Sequence, residues 1–395
     1  MRHMLRSRRD LTETNRATSF EIFFDLVFVF ALTQVIAFMG RPPTPASLAE
    51  GLILLLLFWV AWMTYSWLCN QARADLGLLW AGLVAAMATI FVAALEIPVA
   101  WQRSRGLVDA PLILSLAYIV MRAVHLALYY YAVPRDRRPL RIFAATTILA
   151  WVPLVVGALL GGAGQTALWA TALVIDFSGG FLASAFGPWQ LRSPGHFSER
   201  HGLVLIIALG ESLVSVGAGA RTAVTRGPVL AAALLAFAGA VCLWWLYFAT
   251  DAPAVGEAFG RVPAEHRGRF AANVYSLTHF PLVAGVIYLA LGVEQILAHL
   301  AQKPLHQTGG TPLNWSATVA LFGGLVLFLT GRVAFLWLAI RVTPTAKLVA
   351  ASVALLLIPV GRYLPALAAL GLVTAFLLAL AGYERVSRRE HAAHR

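Results

Sequence analysis

The chain has 395 residues, of which 60% are hydrophobic and only 12% are charged, and its mean hydropathy is +0.77. A soluble domain usually carries about 25% charged residues, so the composition excludes an ordinary soluble globular protein. The formal net charge of +12 comes from basic residues that lie mostly in short segments between apolar runs. Charge placed in this way is typical of membrane topology, so it does not indicate a nucleic-acid partner.

The apolar runs are about 20 residues long, the length at which an α-helix crosses the hydrocarbon core of a bilayer. The sequence therefore predicts an all-α polytopic membrane protein with about twelve transmembrane helices and the lipid bilayer as its surroundings. The predicted spans are residues 19–39, 47–69, 77–100, 109–132, 141–161, 166–187, 201–219, 228–250, 270–297, 314–340, 345–362 and 364–383.

The distribution of basic residues supports this number of spans and predicts an orientation. With the N-terminus in the cytoplasm, 21 Arg and Lys residues fall on the cytoplasmic side and 7 on the outer side, with Arg192 and Arg200 among the cytoplasmic loop charges. Cytoplasmic loops carry the excess of Lys and Arg. We therefore expect a multi-pass protein of the inner (plasma) membrane with both termini in the cytoplasm.

The second half of the chain resembles the first. Aligning Phe20 with Phe197 places Ala31-Leu32-Thr33-Gln34 on Ala208-Leu209-Gly210-Glu211, and the fourth span of each half carries an arginine, Arg122 and Arg332. Six spans are an even number, so both halves would have the same orientation. The sequence predicts two parallel six-helix repeats, residues 1–190 with a basic N-terminal tail and residues 191–395 with a basic C-terminal tail.

The ionisable residues inside the spans are the candidate functional residues, because a charge that faces lipid costs several kcal/mol. Arg122, Asp176 and Glu211 would lie within roughly 5 Å of the midplane. These groups could line an ion or substrate path. They could instead form static pairs, Arg122 with Asp176 or Asp25 and Arg332 with Glu211. The full set is Glu21, Asp25, Arg122, His125, Asp176, Glu211, His279 and Arg332.

The sequence contains no nucleotide-binding, protease or deaminase signature. Its two cysteines, Cys69 and Cys242, form no metal-binding or disulfide pattern. We therefore expect no catalytic residue, no bound metal and no cofactor. The pattern gives no oligomeric state.

Two long motifs resemble a known family. FEIFFDLVFVFALTQ in the first span and ERHGLVLIIALGES at the seventh, together with Arg-Ala-Val-His in the fourth, are similar to the bacterial low temperature requirement A (LtrA) proteins. The resemblance covers essentially the whole chain. It implies a multi-pass bacterial membrane protein linked by name to growth in the cold, and it implies no particular substrate.

Phe24-Asp25-Leu26-Val27-Phe28 also resembles, more weakly, the F-S-D signature of potassium channels built from six-helix repeats, although Phe24 replaces the serine. Three hypotheses follow. The first is a secondary transporter or ion-conducting protein that uses its intramembrane acids to carry a small cation or proton. The second is a non-transporting scaffold or sensor for growth in the cold. The third is an intramembrane lipid-modifying enzyme.

Overall fold

The computed structural model describes residues 16–103, 109–132, 138–187, 189–220, 225–302 and 311–393. Within these ranges, twelve helices are long and apolar enough to cross a membrane, which confirms the predicted all-α membrane fold. The helices, α1 to α12 in chain order, are Ser19–Met39, Pro45–Gln71, Gly77–Val99, Ala110–Ala132, Arg138–Leu160, Gly162–Ser184, Pro194–Ala220, Gly227–Gly260, Ala264–Gln302, Trp315–Ile340, Thr345–Tyr363 and Ala366–Arg389.

Most helix ends agree with the predicted spans, but four helices extend further by five residues or more. Helix α7 begins at Pro194 instead of residue 201, and α8 continues to Gly260 instead of 250. Helix α9 runs from Ala264 to Gln302 instead of from 270 to 297, and α12 continues to Arg389 instead of 383. Hydropathy underestimates these ends because polar and charged side chains occupy them. The extra turns bring several charged residues into helices, among them Arg200 and Asp251.

Three helices contain a π-helical stretch, in which the hydrogen bonds run to the fifth residue instead of the fourth. The stretches are Trp245–Asp251 in α8, Ala271–Ser276 in α9 and Val319–Gly323 in α10. In α8 the backbone carbonyl oxygens of this stretch accept hydrogen bonds from side chains. The Leu246 carbonyl accepts a hydrogen bond from Arg332 at 3.0 Å, and Arg388 donates to the carbonyls of Ala249 and Thr250.

The described residues form two compact units. The first consists of the described parts of Met1–Met39, Ala49–Leu203 and Phe259–Ser276, and it contains α1 to α6 and the first turns of α7. Helices α5 and α6 pack along their length, as do α3 and α4. Small residues allow the approach of α5 and α6: an added Cβ at Gly179 would lie 2.0 Å from the Thr146 hydroxyl oxygen.

The second unit consists of the described parts of Gly40–Leu48, Val204–Ala258 and Leu277–Arg395. Its centre is the pair α9 and α10, which meet backbone to backbone at glycines. A Cβ at Gly285 would lie 2.7 Å from the Gly324 carbonyl oxygen, and a Cβ at Gly292 would lie 2.7 Å from the Leu321 Cα. Small residues at helix contacts are the usual means of close packing in membranes, where burial from water provides no driving force.

The predicted division at residue 190 into two parallel repeats stays a prediction. The packing inside the two units is not the same. Helices α5 and α6 of the first unit are in extensive contact, whereas α11 and α12 of the second make few contacts and α12 packs on α8. If the two halves arose by duplication, the packing of their last two helices has since become different.

Candidate functional site

Two acidic residues of α1 meet one arginine of α7 within the first unit. Arg200 donates from Nη1 to Glu21 Oε1 at 3.0 Å and from Nη2 to Asp25 Oδ1 at 2.5 Å. Trp62 Nε1 of α2 donates to the same Asp25 oxygen at 2.8 Å, and His196 Nε2 lies 2.9 Å from Glu21 Oε1. We call these five residues the Asp25 cluster. None of them is more than 2% exposed.

The local sequence explains how α1 and α7 present these groups. Glu21 and Asp25 are four residues apart, as are His196 and Arg200, so each pair lies on one face of its helix. Glu21 is also fixed by a capping box with Thr18 at the start of α1. The backbone N–H of Thr18 donates to Glu21 Oε2 at 2.8 Å, and the N–H of Glu21 donates to the Thr18 hydroxyl at 3.2 Å.

Asn70 lies beside the ring of His196. Its Oδ1 accepts the backbone N–H groups of Arg192 at 2.8 Å and of Ser193 at 3.3 Å, which identifies the other amide atom as the nitrogen. That Nδ2 donates to the Ser193 carbonyl at 2.8 Å and lies 3.5 Å from His196 Nδ1. The His196 ring therefore has an amide donor on its Nδ1 side and the Glu21 carboxylate on its Nε2 side.

The Asp25 cluster contains two acids, Glu21 and Asp25, and Arg200 is the one permanently charged base among its five residues. Two atoms of the cluster have no hydrogen-bond partner in the described part of the chain, Asp25 Oδ2 and Arg200 Nε. A buried ionised group normally has all of its hydrogen-bonding positions filled, so this carboxylate is unusual.

A second buried network surrounds Arg122 of α4. Its Nη2 lies 2.8 Å from Asp176 Oδ1 of α6, and its Nη1 donates to the Thr64 hydroxyl of α2 at 2.7 Å. The Thr147 hydroxyl donates to Asp176 Oδ1 at 2.7 Å, and the Tyr118 hydroxyl lies 3.5 Å from Asp176 Oδ2. We call these five residues the Arg122 cluster. Of the two partners expected for Arg122, the structure selects Asp176 over Asp25.

Helix α2 contacts both clusters of the first unit. Trp62 belongs to the Asp25 cluster and Thr64 to the Arg122 cluster, and His125 Nε2 lies 3.1 Å from the Thr64 carbonyl oxygen. The ring of Tyr65 is 5.1 Å from that of Phe24 and 5.2 Å from that of His125. Tyr65 thus lies between the two clusters, and its hydroxyl donates to the backbone at Met121.

The third cluster, in the second unit, contains Arg332, Asp251, Glu384 and Lys347. Arg332 of α10 donates to Asp251 Oδ2 of α8 at 2.6 Å and to Glu384 Oε2 of α12 at 2.9 Å. Lys347 of α11 lies 3.3 Å from Asp251 and 2.7 Å from Glu384. We call it the Arg332 cluster. Two basic and two acidic groups make it neutral, and each acid has two cationic partners.

The expected pairing of Arg332 with Glu211 is wrong. Arg332 binds Asp251 and Glu384, which lie one residue beyond the predicted ends of spans 8 and 12. The Glu211 carboxylate accepts a hydrogen bond from Ser215 at 3.3 Å. His279, also in the second unit, has its Nε2 2.7 Å from the Tyr247 hydroxyl oxygen.

The eight predicted site residues therefore separate into groups. Glu21 and Asp25 share one cluster, Arg122 and Asp176 share another with His125 beside them, and the remaining three lie in the second unit. Among the described residues, no group of three or more His, Cys, Asp or Glu side chains is arranged to hold a metal ion.

Sequence reasoning missed several residues that the structure places in these clusters. Arg200 was assigned to a loop, yet it lies inside α7 and is fully buried. Its signal was the repeated spacing of four residues, His196 and Arg200 beside Glu21 and Asp25. The capping box at Thr18 was also readable as a Thr-x-x-Glu pattern.

Comparison with known proteins identifies the family of the chain. The family model described as "Bacterial low temperature requirement A protein (LtrA)" matches residues 16–382, which include all three clusters except Glu384. The chain belongs to the LtrA family. It is also similar to an uncharacterized protein of Rhizobium meliloti (strain 1021), with 26% identity over 352 residues that cover 85% of this chain and 81% of the relative. No solved structure matches the chain.

Proposed function

We propose that this LtrA protein is a secondary transporter or ion-conducting protein that carries, or is coupled to, a small cation, and that the Asp25 cluster binds this cation. The observation that carries the proposal is the buried oxygen of Asp25, Oδ2, which has no hydrogen-bond partner in the described part of the chain. Two acids share one guanidinium in this cluster, and all three side chains are at most 2% exposed. An ionisable group at membrane depth is expensive unless it is neutralised, so a cation that binds there gains free energy.

Transport requires that the bound and empty states differ in structure. In the present state Arg200 joins Asp25 to Glu21, so α1 and α7 are held together by ion pairs. A cation that neutralises Asp25 would weaken its pair with Arg200, because the Coulomb attraction depends on the charge of the carboxylate. The cluster thereby couples the binding of a cation to the contact between two helices. Such a link between occupancy and helix packing is what a transporter needs.

The test is cation flux in liposomes. Purified wild-type chain would be reconstituted, and proton, potassium and sodium movement would be followed with ion-sensitive dyes. We expect flux in the wild type, and we expect Asp25→Asn to abolish it. The matched control is Asp75→Asn, which removes an acid from an exposed ion pair with Arg73 and should leave flux unchanged. Flux that is identical in wild type and Asp25→Asn, both folded by gel filtration, would refute the role of the cluster.

The Arg332 cluster favours a second candidate function, a non-transporting membrane scaffold. It is neutral, and both of its acids have two cationic partners at 3.3 Å or less. Such a network stabilises a fixed arrangement of four helices without a free site for an ion. If liposomes show no flux under any cation gradient, the scaffold becomes the better account.

We also infer that the protein lies in the inner membrane with both termini in the cytoplasm. Supporting this orientation, the loops on the same side as the two termini carry most of the basic residues. Labelling of single cysteines in intact cells provides the test. Cysteines placed near residue 388 should be protected from an impermeant reagent, and cysteines near residue 41 should react. The opposite pattern would reverse the orientation.

A further inference from the structure

The unpartnered oxygen of Asp25 identifies which kind of ion the cluster can take. The cluster contains four carboxylate oxygens. Glu21 Oε1 faces both Arg200 and His196, and Glu21 Oε2 accepts the backbone N–H and the hydroxyl of Thr18. Asp25 Oδ1 accepts Arg200 and Trp62. Three oxygens thus face two partners each, and among the described residues Asp25 Oδ2 alone is left without any.

One free oxygen is too few for a metal cation. Hard cations in proteins are bound by several oxygen ligands, and a selective potassium site replaces the hydration shell with a ring of carbonyl oxygens. A proton needs one lone pair. It would also remove the unfavourable burial of an ionised oxygen that has no hydrogen bond, because a neutral carboxyl group is far less costly to bury than a carboxylate.

We propose that Asp25 binds a proton at Oδ2, and that a proton, instead of a metal cation, is the ion of this cluster. This inference rests on the proposed function and names its ion. On binding, an O–H bond forms at Oδ2 and the net charge of the cluster rises by one. On release, the proton leaves and the carboxylate again pairs fully with Arg200.

His196 is the other basic group of the cluster that could hold a proton, and both of its ring nitrogens have neighbours. Its Nε2 lies 2.9 Å from Glu21 Oε1, and its Nδ1 lies 3.5 Å from the amide nitrogen of Asn70. A hydrogen on Nδ1 would point at that amide, which is itself a donor. The orientation of Asn70 is fixed by two backbone N–H groups, so it cannot turn to accept without losing both.

The other titratable groups around the cluster are on α2 and α7. Cys69 of α2 is buried beside Arg200. On α7, Glu199 Oε2 accepts the backbone N–H of Ala17 at 2.9 Å, and the His201 ring packs against Trp62 with 5.0 Å between centroids. His201 Nδ1 lies 2.9 Å from the Phe197 carbonyl oxygen, so this nitrogen holds its hydrogen. Asp25 therefore remains the one acid of the cluster with an open position.

The experiment is infrared difference spectroscopy of the purified full chain, titrated with acid in detergent. A protonated carboxyl group gives its own C=O band, which shifts in heavy water. We expect a band that develops as the pH falls, that is lost in Asp25→Asn and that persists in the matched variant Asp176→Asn. A band that is unchanged in folded Asp25→Asn overturns the proposal.

A second measurement on wild-type protein keeps the test independent of variant folding. The titration is repeated in potassium or sodium chloride and in choline chloride. The midpoint should be the same in all three, because a metal cation has no set of oxygens to occupy. A midpoint that moves to lower pH in potassium or sodium would show a competing metal cation and overturn the proposal.

The two measurements also separate this inference from the transport proposal. A titrating Asp25 band without proton flux in liposomes would contradict transport and leave the proton site intact. Potassium or sodium flux that requires Asp25, with no Asp25 band, would support transport and overturn the choice of the proton.

Discussion

The Asp25 and Arg332 clusters are built from the same residue types but differ in charge balance. Each contains two buried acids and a fully buried arginine. In the Arg332 cluster Lys347 supplies a second positive charge, so both acids are neutralised. In the Asp25 cluster Arg200 is the one permanently charged base for two acids, and one carboxylate oxygen has no hydrogen-bond partner within the described residues. The number of permanently charged bases per acid thus distinguishes a network in which each acid has two cationic partners from one that we propose gains a proton.

The two arginine networks of α4 and α10 have a similar plan. Arg122 of α4 reaches α2 and α6, and Arg332 of α10 reaches α8 and α12. Each arginine thus contacts the helices two positions before and two positions after its own in the chain. This is the pattern expected from parallel repeats, which stay a prediction. The two networks differ in where their acids lie, since α2 provides Thr64 to Arg122 where α8 provides Asp251 to Arg332.

The largest expected effect on stability comes from removing an acid of the Arg332 cluster. Asp251→Asn leaves Arg332 and Lys347 with Glu384 alone, an uncompensated buried positive charge. Breaking a buried pair in this way typically lowers the free energy of unfolding by about 3–5 kcal/mol. Asp25→Asn instead leaves Arg200 paired with Glu21, so we expect a much smaller loss of stability.

Thermal unfolding of the two purified variants in the same detergent measures this difference. The substitution is chemically identical at both positions, so each serves as the control for the other. Equal losses of stability would contradict the proposed difference between the clusters. They would mean that both clusters depend equally on having two acids.

An intermediate effect is expected at the glycines that join α9 and α10. A Cβ at Gly285 would lie 2.6 Å from the Phe328 backbone nitrogen and 2.7 Å from the Gly324 carbonyl oxygen, so Gly285→Ala must separate the two helices. Overpacking of this kind typically costs about 1–3 kcal/mol. The control is Gly371→Ala in α12, where an added Cβ meets nothing within 4 Å.

This pair of variants tests whether close helix contacts, in addition to ion pairs, stabilise the second unit. Gly371→Ala should be neutral or slightly stabilising, because alanine favours a helix more than glycine by about 1 kcal/mol. If chemical denaturation gives the same stability for both variants, the α9–α10 contact adds nothing to the stability of the folded state.

Most of the fold could be predicted from the sequence, because hydropathy reports the length of apolar runs directly. The sites were harder to predict, since charged residues at the ends of those runs look the same whether they face water or a buried partner. Arg200 resembled an ordinary cytoplasmic loop charge. Asp251 and Glu384 fell one residue outside the predicted spans. Only three-dimensional packing decides which acid an arginine meets, and so Glu211 was chosen wrongly for Arg332.

The smallest expected effect concerns two similar helix caps. Thr18 caps α1 through Glu21, and Thr44 caps α2 through Ser47, where each backbone N–H is bonded to the other hydroxyl at 2.9 and 3.0 Å. Loss of an N-cap side chain costs typically about 1 kcal/mol, so Thr18→Ala and Thr44→Ala should lower the stability to a similar extent.

The two caps differ in what else they contact. Thr18→Ala also removes the hydroxyl that bonds to Glu21 Oε2, whereas the Thr44 cap bonds to Ser47 and to no acid of the Asp25 cluster. Thermal unfolding of the two purified variants in the same detergent measures both losses. A clearly larger loss in Thr18→Ala would mean that this hydroxyl stabilises the Asp25 cluster in addition to capping α1.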